Sequence, residues 1–449
     1  DGTSGHDSNI NSSSSIVNNA SLAFNLFGDV THSKAISGTG DLAKSGGGKL
    51  LLAANNTYTG TTTINAGTLD LAGASGCGLN GSRAGNNIVV NAGATLQTTY
   101  SHQFGWTGTL ANITVNDGGT FNGSQGHYIG QLALNGNATV FGTDYLGLTS
   151  GQVNYSGTGA QAGSISQELK LQDTSNTAVN VTVSVSGSNP AGDLTISGVI
   201  SGPSGAGLTK TGNGTLVISG NNTYSGTTAV TSGILSVNGD QSAATGDVNV
   251  TNAGTRLMGS NGTVGGNTTI DSGAIHSSGG AIANTNKVGK QTFDQAGAST
   301  TNLTYGAGSI YEWDLGAKND TDSGGIRGTD YDAVDVTGTL AVNSTAIFRV
   351  VLGSGATTGD LSFWQQTQTW TDIFGGGFTL LNNSGFATNL VQVVDAATGN
   401  TFDVNNLYSG VGSGFSINGT TLTWTAVPEP SSGLAGLLLT AALLRRRRA

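Results

Sequence analysis

Residues 208–235 read LTKTGNGTLVISGNNTYSGTTAVTSGIL, and residues 42–69 read LAKSGGGKLLLAANNTYTGTTTINAGTL. The two stretches align without a gap at an offset of 166 residues, and 14 of the 30 positions in 42–71 and 208–237 are identical. Both copies have a lysine at the third position, the same Asn-Asn-Thr-Tyr block, and glycines at matching places. A segment that recurs this closely indicates a repeat architecture, in which each copy is one structural unit.

A looser unit recurs along the chain, in which an apolar strand residue is followed by polar residues and another apolar strand. Its period is 19–26 residues, which fits one coil of a β-solenoid whose short strands stack in parallel about 4.8 Å apart. We expect about 12–14 coils over residues 20–300 and a rod about 60 Å long. The residues that begin these units are Ile64, Val90, Val115 and Leu134, at spacings of 26, 25 and 19, and Val230, Val250 and Ile270, at spacings of 20 and 20.

The composition agrees with such a coil. The 449 residues include 74 glycines and 4 prolines, and charged residues make up 9% against roughly 25% in ordinary domains. Glycine and asparagine tolerate the positive φ of tight corners, whereas proline cannot donate a hydrogen bond to a strand ladder. Apolar residues reach 36% and alternate with polar ones, so we reject disorder for most of the chain. Stacked amides are expected between coils at Asn55, Asn56, Asn221 and Asn222.

These observations predict an all-β protein whose main body is a parallel β-helix, or β-solenoid. Residues 1–300 are interpreted as the β-helix, 301–426 as a β-rich cap that shields the last coil, and 427–449 as a separate signal with a short apolar helix. Within the cap, residues 361–374 have the pattern of a short helix. A β-sandwich, or a string of them, remains the alternative architecture, since regular turn spacing alone does not exclude it.

Charge and cysteine content narrow the function. The net charge is −10, and because Arg445–Arg448 supply four positive charges, residues 1–444 carry −14. An acidic surface repels phosphate backbones, so nucleic-acid binding is not expected. Cys77 is the single cysteine, which rules out an intramolecular disulfide. The first residue is Asp1 rather than methionine, and we expect that a signal peptide preceded it.

The two long repeats closely resemble the autotransporter-associated β-strand repeat. That repeat occurs in passenger domains of bacterial surface proteins, and the resemblance implies a right-handed parallel β-helix and an exported protein. Residues 262–275 and 331–338 more loosely resemble the later coils of such passengers. Only the repeats at 42–71 and 208–237 are specific.

The last 23 residues resemble a PEP-CTERM sorting signal. Val427-Pro-Glu-Pro430 precedes the apolar run Gly433–Leu444, and four arginines follow. Twelve helical residues span about 18 Å, which is short for roughly 30 Å of hydrocarbon. The resemblance implies transient insertion in the inner membrane and cleavage by an exosortase-type membrane protease; a plain tail anchor is the alternative. The implied recognition residues are Pro428, Glu429, Pro430, Arg445, Arg446, Arg447 and Arg448.

A search for catalytic or metal sites finds one acidic cluster. Carboxylates are the ligands that calcium prefers, and paired acids can also cleave glycosidic bonds. Lys318 and Arg327 lie nearby in sequence, as in β-helix enzymes that use acids with basic residues. We interpret the cluster first as structural, second as a weak calcium site, and last as catalytic, and we expect no other cofactor. Its members are Asp320, Asp322, Asp330, Asp332 and Asp335.

A second cluster is aromatic, and aromatic faces can stack on sugar rings. Its simpler interpretation is core or corner packing. We therefore predict an exported, non-enzymatic structural or interaction protein of the cell surface or extracellular matrix. A polysaccharide-binding adhesin is the alternative, followed by a polysaccharide lyase or hydrolase. The aromatic cluster consists of Tyr100, His102, Phe104, Trp106, Phe121, His127 and Tyr128.

Overall fold

Apolar and polar residues alternate in short strands, and each strand pairs in parallel with the strand one coil later. The apolar side chains of one face then point inward and stack on those of the next coil, so the body is a parallel β-helix, as predicted. The right-handed sense of the coil stays a prediction. The computed structural model describes residues 15–73, 87–189, 191–279, 288–298, 300–353, 361–380, 385–386, 391–395, 401–402 and 414–426.

Sheet 1 is the first long stack of strands. Its register confirms the spacings read from the sequence: Ile64 pairs with Val90, Val90 with Val115 and Val115 with Leu134. Later in the stack Val230 pairs with Val250, and Val250 with Ile270. Its strands are Ser21–Asn25, Asp41–Ser45, Thr62–Ile64, Asn87–Val90, Asn112–Val115, His127–Asn135, Tyr145–Ser156, Val181–Ser186, Leu208–Thr211, Thr228–Val230, Val248–Val250, Thr268–Ile270, Leu303–Tyr305, Thr339–Val342 and Thr379–Leu380.

Sheet 2 has 16 strands and forms the second side of the coil. Leu69 pairs with Leu96, and Leu96 pairs with Phe121, so large apolar side chains stack coil upon coil with none of their surface exposed. Burying one such side chain stabilises the fold by about 1.5–3 kcal/mol. The strands are Val30–His32, Lys49–Leu52, Gly67–Leu71, Ala94–Thr98, Thr120–Gly123, Thr139–Gly142, Gly163–Ile165, Leu194–Ile196, Thr215–Ile218, Ile234–Val237, Arg256–Met258, Ile275–Ser277, Ile310–Leu315, Ile347–Leu352, Val391–Asp395 and Thr401–Phe402.

The third side joins each sheet 2 strand to the next sheet 1 strand, and it is the irregular side. Near the start of the chain this side carries short paired strands. Its middle section is formed by the first halves of two long sheet 1 strands, His127–Asn135 and Tyr145–Ser156. Further along the chain it contains the 5-stranded sheet 3. Longer connections between coils also leave from this side. Its additional strands are Ile16–Val17, Ile36–Ser37, Glu168–Lys170 and Ile200–Ser201, followed in sheet 3 by Asp240–Gln241, Thr263–Val264, Lys290–Phe293, Ala333–Val336 and Phe374–Gly375.

The parallel pairing continues across residue 300 as far as Val391–Asp395. An antiparallel sheet then packs against the coil through Trp370, whose ring centroid lies 5.4 Å from that of Trp313. The predicted short helix exists as Leu361–Trp364. The predicted apolar helix at Gly433–Leu444 lies outside the described residues. The antiparallel strands are Gln368–Trp370, Gly414–Asn418 and Thr421–Thr425.

An amide ladder runs along the coils, but not where the sequence placed it. Asn91 donates to Asn65 (2.9 Å), Asn116 donates to Asn91 (2.7 Å) and Asn135 donates to Asn116 (2.8 Å). Each ladder residue directly follows the last inward residue of its sheet 1 strand, so successive amides stand one above the other. Of the four asparagines predicted to form ladders, Asn56 and Asn222 turn inward and accept hydrogen bonds from backbone amides, so the prediction was wrong for these two. Asn55 and Asn221 are exposed.

Candidate functional site

The recurring lysines of the two repeats are internal. Lys210 Nζ donates to the carbonyls of Thr211 (2.8 Å), Gly212 (2.9 Å) and Ser232 (3.0 Å). Lys44 makes the same three bonds one repeat earlier, and neither lysine is exposed. Burial lowers the pKa of Lys210 to about 8, although Asp193 opposes that shift. Each lysine thus donates hydrogen bonds to three backbone carbonyls at the turns of the coil, which is a structural role.

In the Asn-Asn-Thr-Tyr block the second asparagine and the tyrosine are also internal, whereas the first asparagine and the threonine are exposed. Asn56 accepts a hydrogen bond from Ile36 N (3.0 Å), and Asn222 accepts one from Ile200 N (2.7 Å), in each case from the preceding coil. The hydroxyl of Tyr224 lies 2.7 Å from Thr228 Oγ1, and the equivalent Tyr58 makes the same contact at 2.6 Å. The residues that define the repeat therefore hold the corner between sheet 2 and the next sheet 1 strand.

The acidic cluster is dispersed, and its members bind protein groups. Asp320 accepts hydrogen bonds from Ser323 N (2.7 Å) and Thr369 N (2.9 Å), and these bonds hold its pKa below the usual range although burial opposes them. Asp330 accepts from Ile326 N (2.8 Å), and Asp322 is exposed. Across the described part of the chain, no group of three or more His, Cys, Asp or Glu side chains is placed to hold a metal ion. The calcium hypothesis gains no support from this arrangement.

Asp332 and Asp335 have different surroundings. Asp332 is fully buried and accepts from Gly289 N (2.8 Å) and Asp314 N (3.2 Å); burial, together with the charge of Asp314, raises its pKa well above the usual range. Asp335 pairs with Arg327 (2.8 Å) and Lys290 (3.0 Å). Asp332 cannot contact a polysaccharide from inside the core, and Asp335 is bound in two ion pairs.

An insert on the third side, residues 100–110, is held to the coil by two buried residues. Gln103 donates through Nε2 to the carbonyls of Gly73 (3.1 Å) and Ser101 (3.2 Å). Phe104 packs edge-on against Phe121 and His127 at centroid distances of 5.8 and 5.2 Å. These contacts fix the backbone on both sides of His102, which itself has a φ of 56°.

His127 lies beneath the insert and is neutral. Its Nδ1 accepts from Gln103 N (3.3 Å), so its Nε2 carries the proton and donates to Thr98 Oγ1 (2.8 Å). Burial, with a smaller contribution from His102, lowers the pKa of His127 to about 3. It belongs to the core that supports the insert.

The outer surface of the insert carries exposed aromatic rings. Trp106 is 45% exposed and Tyr100 is 50% exposed. The Trp106 ring stands nearly perpendicular to those of His102 (4.2 Å, 79°) and Tyr128 (5.3 Å, 88°), and these two are nearly parallel to each other. Burial lowers the pKa of His102, which leaves its imidazole neutral at pH 7.

Tyr145 completes this cluster from the next coil, and sequence reasoning missed it. Its ring lies 5.5 Å from that of Tyr128, and its hydroxyl lies 3.5 Å from His102 Nε2. The Lys170 ammonium sits 4.0 Å from the centroid of the Tyr145 ring. Burial raises the pKa of Tyr145, so the phenol stays protonated. We name the set Tyr100, His102, Trp106, Tyr128 and Tyr145 the aromatic platform.

Two glycines make room for the platform rings. A Cβ at position 147 would lie 2.4 Å from the Tyr128 ring, and a Cβ at position 126 would lie 2.7 Å from the Tyr145 ring. Positions 126 and 145 are one coil apart, because the parallel register pairs the next residues along, His127 and Leu146. The predicted aromatic cluster is thus divided. Phe104, Phe121 and His127 are core, and Tyr128 is also buried (3% exposed) although its ring contacts Trp106, whereas Tyr100, His102 and Trp106 are at least partly exposed.

The sorting residues Pro428, Glu429, Pro430 and Arg445–Arg448 lie outside the described residues, as does Cys77. Within the residues that the structure describes, we find no helix with the length and apolar character to cross a membrane.

Comparison with known proteins finds a match for the two repeats. A family model described as a passenger-associated-transport-repeat matches residues 42–71 and 208–237. No curated protein and no solved structure matches the chain significantly. The two matches support the predicted repeats and a passenger-type domain, and they point to an exported protein of the cell surface.

Proposed function

We propose that this protein is an exported structural or interaction protein, displayed at the cell surface or released into the extracellular matrix. The observation that carries the proposal is the position of the two passenger-type repeats, whose shared lysine, asparagine and tyrosine all stabilise the coil from inside. The repeat thereby serves the architecture of a long β-helix. Such a rod separates its ends and presents its sides to other molecules.

We further propose that the C-terminus is a sorting signal. Residues 427–449 have a Pro-Glu-Pro motif, an apolar run and an arginine tail in the order that resembles PEP-CTERM signals. An exosortase-type membrane protease would recognise Pro428, Glu429 and Pro430 while Gly433–Leu444 is transiently inserted in the inner membrane. The arginines would stay on the cytoplasmic side, as the positive-inside rule predicts.

The test is the intact mass of the native protein in each cell fraction. We expect a chain ending near Pro428–Pro430 outside the inner membrane, and a full-length chain retained in the membrane for the variant Glu429→Gln. Asp322→Asn removes an exposed carboxylate outside the proposed signal and serves as the matched control, with normal release. A wild-type chain that keeps Arg445–Arg448 in the membrane fraction would instead establish a tail anchor.

We propose a non-enzymatic role. Asp320, Asp330 and Asp332 bind backbone amides, Asp335 binds basic side chains, and the buried Asp332 has no access to substrate. Incubating the protein with polysaccharides and following reducing ends tests this. Activity that is lost in Asp332→Asn would reinstate the lyase or hydrolase alternative.

A further inference from the structure

We propose that the aromatic platform is a binding site for a neutral glycan. The platform lies on the third side of the coil, the side from which the longer connections leave. In repeat architectures such connections collect on one face, and that face is often the binding face. This inference goes beyond the proposed function, since binding in solution does not depend on how the protein is sorted.

The exposure of Trp106 separates it from the other tryptophans. Trp313, Trp364, Trp370 and Trp424 are all at most 1% exposed, whereas Trp106 is 45% exposed. Leaving a large apolar ring in water forgoes the favourable free energy of its burial. The fold has an apolar interior within a few ångströms of the insert and still keeps this ring outside. A ligand that covers the ring recovers that free energy.

The platform is fixed before any ligand arrives. Gln103 and Phe104, directly after His102, hold the insert to the core, and the Tyr128 ring lies against Gly147. The hydroxyl of Tyr128 accepts a hydrogen bond from the buried Gln172 (2.7 Å). Rings held in this way lose little conformational entropy on binding, which favours affinity at a small contact area.

The edge of the platform is polar and suits a pyranose. A pyranose ring has an apolar C–H face and hydroxyls around its edge, so it needs an aromatic surface beside donors and acceptors. The structure places the Tyr145 hydroxyl, the neutral His102 imidazole and the Lys170 ammonium next to the rings. The exposed Asp144 carboxylate adjoins Tyr145 and supplies an acceptor for sugar hydroxyls.

Charge selects neutral glycans over acidic ones. Among the described residues, the carboxylates of Asp144 and Glu168 and the ammonium of Lys170 flank the site, and residues 1–444 carry −14. Uronic acid chains would meet repulsion from both the rim and the overall field. A polymer of uncharged hexopyranose units has the required faces without that penalty.

The test uses the full-length chain and isothermal titration calorimetry with uncharged hexasaccharides, namely cellohexaose, laminarihexaose and mannohexaose, beside an oligogalacturonate hexamer. We expect saturable binding of at least one neutral hexasaccharide and none of the charged one. Trp106→Ala should weaken that binding at least tenfold, and Tyr145→Ala should weaken it to a lesser degree. Trp106→Phe keeps a ring and should retain part of the affinity.

Phe141→Ala is the matched control, because Phe141 is a 39% exposed aromatic residue on sheet 2, away from the platform. Its affinity should equal that of the wild type. Circular dichroism of every variant checks that the β-helix is intact. Absence of binding to all three neutral hexasaccharides, binding of oligogalacturonate alone, or equal affinity in Trp106→Ala would each overturn the assignment.

Discussion

The lysines of the two repeats point into the coil, whereas two aromatic side chains of the insert point into solvent. In the repeats the recurring side chains, Lys44 and Lys210 among them, point inward and bind backbone carbonyls. In the insert, which occurs once, Trp106 and Tyr100 point outward into solvent. The buried residues that recur in the two repeats therefore stabilise the coil, whereas the single insert changes its surface. The residues that stabilise the coil are thus different from the residues proposed to bind a ligand.

The largest expected effect comes from breaking the link between the two regions at Phe104. Phe104→Ala removes a 2% exposed ring from the interface with Phe121 and His127, and such truncations cost about 3–5 kcal/mol. Urea unfolding should show that loss, whereas the exposed control Phe141→Ala should lose less than about 1 kcal/mol. Equal costs for the two variants would mean that the insert is not anchored to the core.

The next effect tests the internal lysine. Lys210→Met keeps the apolar stem but leaves the carbonyls of Thr211, Gly212 and Ser232 without their ammonium donor. Relief of the lysine's burial offsets part of the cost, so we expect a loss of about 2–3 kcal/mol in urea unfolding. The control Lys49→Met removes a half-exposed lysine 3.9 Å from Asp70 and should change stability by less than about 1 kcal/mol. A neutral Lys210→Met would contradict the structural role.

A third effect is a pH dependence that originates beneath the insert. The pKa of His127 is about 3 in the folded protein against 6.5 for free histidine, so the unfolded chain binds the proton more readily. The stability present above pH 6.5 is therefore lost as the pH falls toward 3, by about 2 kcal/mol between pH 7 and pH 5. Urea unfolding of His127→Gln should lack this part of the slope. His102→Gln should retain the part of the slope that His127 causes and lose only the smaller contribution of His102 itself; identical slopes in wild type and His127→Gln would refute the assignment.

The smallest effect concerns the amide ladder. Asn116→Ala removes the bonds to Asn91 (2.7 Å) and from Asn135 (2.8 Å), which are partly exposed, and should cost about 1 kcal/mol. Asn249→Ala, at an outward position of the strand Val248–Val250, lies outside the ladder and should be nearly neutral. Thermal unfolding of the pair would show whether ladder position or asparagine content matters.

The coil could be predicted from the sequence because its physics is local and periodic. A spacing of one coil brings Ile64, Val90 and Val115 into register, and the structure pairs those residues. The repeats were recognisable for the same reason. The predicted position of the ladder was wrong because the sequence does not show which way an amide side chain points. Asn56 faces inward and accepts a hydrogen bond from Ile36 N, whereas Asn65, directly after Ile64, faces the next coil.

The platform could be predicted only in part. Tyr100 to Tyr128 form one stretch of sequence, but Tyr145 reaches the site from the next coil, and only an exact register reveals that. In a loop, no alternation of apolar and polar residues distinguishes an aromatic ring that points inward, such as Phe104, from one that points outward, such as Trp106. The acids at 320–335 are close in sequence yet bind different backbone amides, because the long connection around them folds on itself.

The division between an inward-facing repeat and an outward-facing insert is tested most directly by covalent footprinting of the folded protein, with reductive methylation of lysines and hydroxyl-radical oxidation of tryptophans read by mass spectrometry. We expect rapid modification of Lys49 and Trp106. Lys44, Lys210 and the four buried tryptophans should stay unmodified until the protein is unfolded. Methylation of Lys44 and Lys210 as fast as Lys49, or protection of Trp106, would contradict it.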